Sequence, residues 1–428
     1  MQAAKALRGH SGAEARAALL ALLGDAHPAV RSAARAELVA RPPAEGPALA
    51  REACALRNGR ARLEALRAVL SRGEDPNRFL DDRLPEVRAR VLAYSSPSEA
   101  RLRLALLDRD ARCRALALER LVDPDEAVRL ARDVAEEPRI AAARVTADPR
   151  IVMRLLTDPS WRVRLAAVRA SERLRSVEAV PVLIERLDRE EGRLRWRTAQ
   201  SLERLTRLPF GEDARRWREW WAQSRDGYGL PEPRPRTRAR PEQTVARISF
   251  RRLPVVSRRL SFVLDASRSM EKPAPGANGK SRWDLVVRDL LAVLDRLPSS
   301  ARFNVVLFRT EAEAWKRKLT PATLGARRSC RRWIEKIKPS GWTNLFDAVA
   351  LALQDEQVDT LYVLTDGVPS RGTETRRRAI LEELALLNRY RLVQINCVQA
   401  GSTKGLGKSW RGFLEELADA HEGWSVRE

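Results

Sequence analysis

Leu260-Ser261-Phe262-Val263-Leu264 runs directly into Asp265-Ala266-Ser267-Arg268-Ser269, and this junction decides the fold. The apolar run has the length and composition of a buried β-strand. It ends in one carboxylate and two hydroxyls within five positions. Further on, Gly341-Trp342-Thr343-Asn344 opens an apolar helical stretch, and Leu361-Tyr362-Val363-Leu364-Thr365-Asp366-Gly367 is a second strand ending in a carboxylate. Two aspartates that each terminate a parallel strand lie on the carboxyl edge of a doubly wound sheet, where ligands gather.

In order along the chain these residues spell D-x-S-x-S, then T, then D. That is the pattern of the metal-ion-dependent adhesion site, and residues 258–428 resemble a von Willebrand factor A domain. The resemblance implies that the hydroxyls of Ser267, Ser269 and Thr343 touch a divalent cation, Mg²⁺ or else Mn²⁺ or Ca²⁺, while Asp265 and Asp366 act largely through water. Mg²⁺ takes oxygen ligands and usually keeps several waters. Neutral ligands leave such an ion electrophilic, so the resemblance implies a receptor for a partner's acidic side chain and no hydrolytic centre. Arg268 departs from the family, which often has Gly there, and its guanidinium is expected near the cation.

The remaining pattern fits the same domain. Trp283 to Leu297 carries apolar residues at helical spacing, Phe303 to Phe308 reads as a strand, and Ala312 to Lys318 as a short edge strand. Ala322 to Ile337, Leu345 to Leu353, Arg376 to Leu387 and Trp410 to Ala420 read as helices. Leu392 to Val398 and Trp424 to Val426 read as strands. Strands alternating with helices predict a parallel sheet covered on both faces.

Upstream a different rule holds. Asp, four residues, an apolar residue and Arg recur at Asp25…Val30-Arg31, Asp82…Val87-Arg88, Asp108…Cys113-Arg114, Asp123…Val128-Arg129, Asp148…Met153-Arg154 and Asp158…Val163-Arg164. Asp188…Leu194-Arg195 is one residue longer. The aspartate opens a turn and caps the next helix, the apolar residue enters the stack, and the arginine bonds turn carbonyls or a neighbouring repeat's Asp. The pattern looks like a HEAT-type α-solenoid over residues 1–208, with residues 42–75 fitting poorly. A solenoid needs an end cap. Phe210-Gly211-Glu212-Asp213 followed by Trp217, Trp220 and Trp221 on one helix face supplies it over 209–229. This element is similar to the end of a family of bacterial HEAT-repeat proteins, many from planctomycete-like genomes.

Residues 230–257 then read as a linker, rich in Pro and Arg between Leu230 and Pro241. Residues 231–259 hold nine Arg against Glu232 and Glu242. Alternating proline favours an extended spacer.

Composition restricts the function class. The 428-residue chain has a formal net charge of +23, and Arg supplies 71 of its 80 basic residues. Such a skew beside abundant Ala and Leu also follows from a GC-rich genome, so it does not by itself indicate nucleic acid. The charge is spread, +10 over residues 241–428 and +13 over 1–240. Cys54, Cys113, Cys330 and Cys397 show no C-x-x-C spacing, which argues against a disulfide framework or a zinc knuckle. No apolar run approaches the roughly 20 residues of a membrane span, and Met1 to Gly24 lacks the form of a signal peptide. A cytoplasmic chain is expected, although a misassigned start would hide a leader.

Gly405-Leu406-Gly407-Lys408-Ser409 and Gly279-Lys280-Ser281 lack the earlier glycine of a phosphate-binding loop. The three histidines are paired with no plausible nucleophile, and no G-x-S-x-G occurs. These absences point away from an enzyme.

The expectation is a multidomain scaffold or adaptor: an all-α HEAT-like solenoid, a Trp-rich cap, a basic linker and an α/β doubly wound A domain over 258–428. Its partner is an acidic protein ligand bound through a divalent cation. The alternative is RNA bound on the basic solenoid and linker, since the Ro RNA-binding family is similar in pairing helical repeats with an A domain.

Overall fold

A computed structural model of the chain describes residues 2–427 except 8, 9, 11, 43, 234–247, 275–277 and 402–409. The chain divides into two compact units, Met1–Val145 and Thr146–Glu428.

The first unit is built of antiparallel helix pairs: Ala13–Leu23 with Pro28–Ala40, Gly46–Ala55 with Gly59–Ser71, the 3₁₀ turn Asn77–Asp81 with Pro85–Tyr94, Glu99–Ala105 with Ala111–Leu121, and Pro124–Leu130 with Glu136–Val145. Short apolar side chains such as Ala34, Ala50, Ala53, Ala65 and Ala68 are fully buried with Leu19, Leu23, Leu38 and Leu66, which lets the helices approach closely.

What aligns one pair on the next is an arginine near the start of each second helix. Arg88 Nη1 donates to the carbonyl of Asp82 at 2.7 Å and to that of Arg83, closing its own turn. Its Nε and Nη2 reach forward to Asp108 at 2.8 and 2.6 Å. Arg114 repeats this on the Asp108 carbonyl and the Asp133 carboxylate, and Arg62 on the Leu56 and Arg57 carbonyls and Asp82. The arginine thus bonds both the turn carbonyls and the neighbouring Asp.

Residues 42–75, expected to fit the repeat poorly, make a full helix pair. Leu56 stands where Asp does elsewhere, and Arg62 needs only its carbonyl. Asp133…Pro138-Arg139 escaped the pattern because a proline holds the apolar position, yet Arg139 bonds the Asp133 carbonyl at 2.8 Å. Asp123 and Asp148, in contrast, cap the first helices of their pairs. The one sequence pattern therefore covers two structural positions, the turn before a second helix and the cap of a first helix.

In the second unit, Pro149–Leu155 pairs with Trp161–Leu174 and Ala179–Arg189 with Gly192–Thr206, and Ala214–Ser224 closes the end. Arg164 takes the Asp158 carbonyl and then Glu190 at 2.6 and 3.0 Å. Arg195 takes the Glu212 carbonyl at 2.8 Å and its carboxylate at 3.2 Å. Trp217 is fully buried against Phe210 and donates to the Gly211 carbonyl. Trp220 and Trp221 are half-buried and close on Tyr228.

The same unit holds the sheet. Its strands are β3 (Arg259–Asp265), β4 (Arg302–Phe308), β5 (Ala312–Ala314), β6 (Thr320–Pro321), β7 (Thr360–Thr365), β8 (Gln394–Gln399) and β9 (Ser425–Arg427). They lie in the order β5-β4-β3-β7-β8-β9, with β6 also on β4. The strands from β4 to β9 are parallel in that order, and β5 and β6 are antiparallel. Alternate residues supply two cores. Leu260, Phe262 and Leu264 pack with helices Arg282–Arg296 and Leu324–Ile334, while Val263, Leu361 and Val363 pack with Leu345–Leu353, Arg377–Asn388 and Phe413–Ala420.

Residues 248–257 were expected in the linker. They instead form the hairpin β1 (Ser249–Phe250) and β2 (Leu253–Pro254), and Phe250 packs at 5.0 Å on Phe262. The Pro/Arg segment from residue 234 to 247 and Gly405–Ser409 lie outside the described residues.

The last helix pairs grip the base of this sheet. Arg193, 4% exposed, donates to the carbonyls of Asp359 and Leu392 at 2.8 and 2.6 Å, just before β7 and β8 begin. Arg162 reaches the carbonyls of Glu356 and Arg391 in the same two loops. Trp196 meets Trp424 edge-to-face at 5.4 Å, and Arg259 lies 4.6 Å over Trp161. Independent domains on a tether do not describe this contact.

Because Arg193 satisfies two buried carbonyls, Arg193→Ala should destabilise the 146–428 unit by about 2–4 kcal/mol. Chemical denaturation of the full chain, followed by Trp fluorescence, checks this. A midpoint equal to wild type would show that the guanidinium does not hold the contact.

Candidate functional site

β3 and β7 are neighbours, and the chain leaves them toward opposite faces of the sheet. This is the switch point of a doubly wound fold, where a crevice opens outside the strand ends. Asp265 ends β3 and Asp366 follows β7, so strand length alone delivers both carboxylates to this edge. The loop before Leu345–Leu353 arrives beside them, because Ser340 N–H bonds the Ala266 carbonyl at 2.8 Å and Arg268 N–H the Gly341 carbonyl at 3.4 Å. Thr343 is pinned by its backbone: its N–H bonds Ser370 Oγ at 3.1 Å and its carbonyl accepts from Ser370 and Arg371. A Cβ on Gly367 would lie 3.5 Å from Thr343 Oγ1, in ordinary van der Waals contact, so the Thr343 hydroxyl stands beside the turn that follows β7.

The structure therefore brings all five expected residues to one edge. Asp265 is fully buried; Oδ1 accepts the Ser267 N–H at 2.8 Å and Oδ2 the Thr365 hydroxyl at 2.5 Å. Ser267 Oγ lies 3.1 Å from Ser269 Oγ, which donates to Asp366 Oδ1 at 2.6 Å. Asp265 thus serves the fold as well as the edge, organising the turn that carries both serines. Burial pushes its carboxyl up to about 6, against the lowering effect of the hydrogen bonds from Ser267 and Thr365; the Asp366 charge raises it further.

One residue at this edge was missed. Arg282, at the start of Arg282–Arg296, bonds Asp366 Oδ2 and is itself only 19% exposed. Gly401 makes room for it: at φ +82°, an added Cβ would sit 2.8 Å from the guanidinium carbon. No motif announces a partner 84 residues away from its aspartate. Arg268, expected beside the cation, is exposed, and its backbone N–H makes the contact to Gly341.

The donors are two carboxylates and three hydroxyls, all oxygen, which suits a hard cation such as Mg²⁺ and not a soft one. Among the described residues no cluster of three or more His, Cys, Asp or Glu side chains forms. A cation here would depend on hydroxyls and water for most of its contacts. A buried Asp265 whose ionised form is disfavoured gains from a positive charge placed beside it.

Comparison with known proteins agrees with this architecture. Residues 258–423 match the von Willebrand factor type A domain family and residues 130–203 match HEAT repeats. The human von Willebrand factor A domain-containing protein 3B is 31% identical over 115 residues, 27% of this chain and 8% of that one. The human inter-alpha-trypsin inhibitor heavy chain H4 is 30% identical over 180 residues, 39% of this chain and 18% of its own length. The chain thus spans a small part of these relatives. A solved von Willebrand factor type A structure from Catenulispora acidiphila covers 40% of this chain and 38% of its own, at 19% identity and a TM-score of 0.33. The chain carries HEAT repeats and a C-terminal von Willebrand factor A domain. No helix among the described residues is long and apolar enough to cross a membrane.

Asp265 gives a pH test. Its folded pKa lies above the ordinary carboxyl value, so the stability it confers is present below about pH 4 and lost as pH rises through about 6. In chelator, Asp265→Asn, which keeps an acceptor for Ser267, should gain on wild type by about 2–3 kcal/mol between pH 4 and 7. Parallel denaturation curves with no such divergence would show that Asp265 is not strained by its burial.

Proposed function

We propose that this chain is a non-catalytic interaction scaffold whose A domain receives a partner's carboxylate at a divalent cation. The observation that supports it is the convergence of Asp265, Ser267, Ser269, Thr343 and Asp366 on one strand edge. Ser267, Ser269 and Thr343 would hold Mg²⁺ through their hydroxyls, with Asp265 and Asp366 supplying the negative charge. Bound there, the cation would give an acidic side chain a Lewis-acidic partner that no side chain of this edge provides. This chain's residues do the rest. Asp265 fixes the serine turn, Thr365 holds Asp265, and Arg282 balances the Asp366 charge. The helix pairs at the base hold the domain as a presented head.

RNA remains the competing partner, but the arginine count overstates the charge open to phosphate. Arg62, Arg88, Arg114 and Arg164 are each committed to carbonyls and a carboxylate at once.

The test is Mg²⁺ binding to the full chain by calorimetry and by thermal shift. A ligand bound only to the folded state at a hundred times its Kd adds about 2.7 kcal/mol. Thr343→Val, which keeps shape and loses the hydroxyl, should weaken Mg²⁺ by at least about tenfold, and Arg282→Gln should tighten it by removing a competing positive charge. Wild-type protein that binds neither Mg²⁺ nor Mn²⁺ would overturn the reading. Pull-down supplies the second arm. A protein partner should be released by chelator, whereas an RNA partner should resist chelator and weaken steeply with salt.

A further inference from the structure

We propose that Trp342 and Arg371 form a second contact beside the carboxylate-receiving edge, selecting partner segments in which the acidic residue is flanked by a large apolar side chain. The inference rests on that reading of the edge and adds the identity of the neighbouring residue.

Trp342 is 55% exposed, while most large apolar side chains of its unit are buried. It immediately precedes Thr343, and its backbone is held on both sides. Gly341 has φ +74° in a space where a Cβ would stand 2.4 Å from Thr310 Oγ1, and its carbonyl accepts from Arg268. Thr343 is fixed by Ser370 and Arg371. An indole on so constrained a backbone loses little freedom on binding, the property that makes tryptophan a frequent interface anchor. The Arg371 guanidinium carbon lies 5.8 Å from the ring centroid, so one side of the indole is already accompanied by a cation.

The spacing commits the occupant. Consecutive Cα atoms are about 3.8 Å apart, so a chain with its carboxylate beside Thr343 brings the side chain one or two residues away over position 342. The surroundings commit its charge. Arg268 and Lys272 are exposed on the loops of this edge and Arg371 lies against the indole, outnumbering the exposed acids Glu271 and Glu311, while Arg376 is paired with Glu374. An acidic segment with an aromatic or aliphatic neighbour satisfies both features. A neutral polar neighbour leaves the indole in water.

The test is selection from a random peptide library displayed on phage, against the immobilised full chain in Mg²⁺, with elution by EDTA. The wild-type pool should be enriched in Asp or Glu beside Phe, Tyr, Trp or Leu. The Trp342→Ala pool should keep the acid and lose the apolar neighbour by several-fold, and Trp342→Phe should restore it. The same apolar preference in Trp342→Ala, or an acid-enriched wild-type pool with no apolar neighbour, overturns this inference alone. A wild-type pool with no acid enrichment overturns the carboxylate reading beneath it. A single-stranded oligonucleotide bound in EDTA and lost in Trp342→Ala would assign the indole to base stacking, and would overturn the proposal too.

Discussion

A guanidinium has five donors in a plane and no acceptor, and in this chain that geometry is directed at backbone carbonyls. Each such contact closes a turn through the turn's own carbonyls. The forward-facing nitrogens then find a carboxylate one repeat on, so a single side chain fixes both the local turn and the stacking step. Arg62, Arg88, Arg114 and Arg164 follow this rule. Arg162 and Arg193 apply it to the loops that start β7 and β8. Stacking and domain docking therefore share one chemistry, and the arginine richness of the chain has a structural use beyond its charge.

Much of this was legible in the sequence because the relevant signals are local. A strand that ends in Asp-x-Ser-x-Ser places its hydroxyls by chain geometry alone, and the alternation of Leu260, Phe262 and Leu264 with Ser261 and Val263 announces a strand covered on both faces. What stayed hidden depended on distance. Arg162 and Arg193 stand two residues before Arg164 and Arg195 and look like further helix arginines; only the fold shows that they face a sheet and the later pair a turn. Arg282 was invisible for the same reason. Leu56 and Pro138 concealed two repeats because the arginine's essential partner is a carbonyl, which every residue supplies.

The candidate edge shows a balance of charge. Two carboxylates share it with three hydroxyls and one guanidinium, and the deeper carboxylate is held by Ser267 and Thr365 against the cost of its burial. Polar groups so placed are organised before any ligand arrives. The preorganisation is carried by Asp265 from beneath and by the pinned backbone of Thr343 from the side, so the two halves of the edge are fixed by different parts of the chain.

The grip on the sheet lies at the amino ends of β7 and β8, and the edge with Asp265 and Asp366 lies at the carboxyl ends of β3 and β7. A tug on anything attached at that edge would run lengthwise down the strands to Arg162 and Arg193. Parallel ladders loaded lengthwise share the load among many hydrogen bonds at once, instead of opening one by one as they do when pulled apart sideways. The anchor that Arg162 and Arg193 provide thus sits at the opposite end of the strands from the candidate edge.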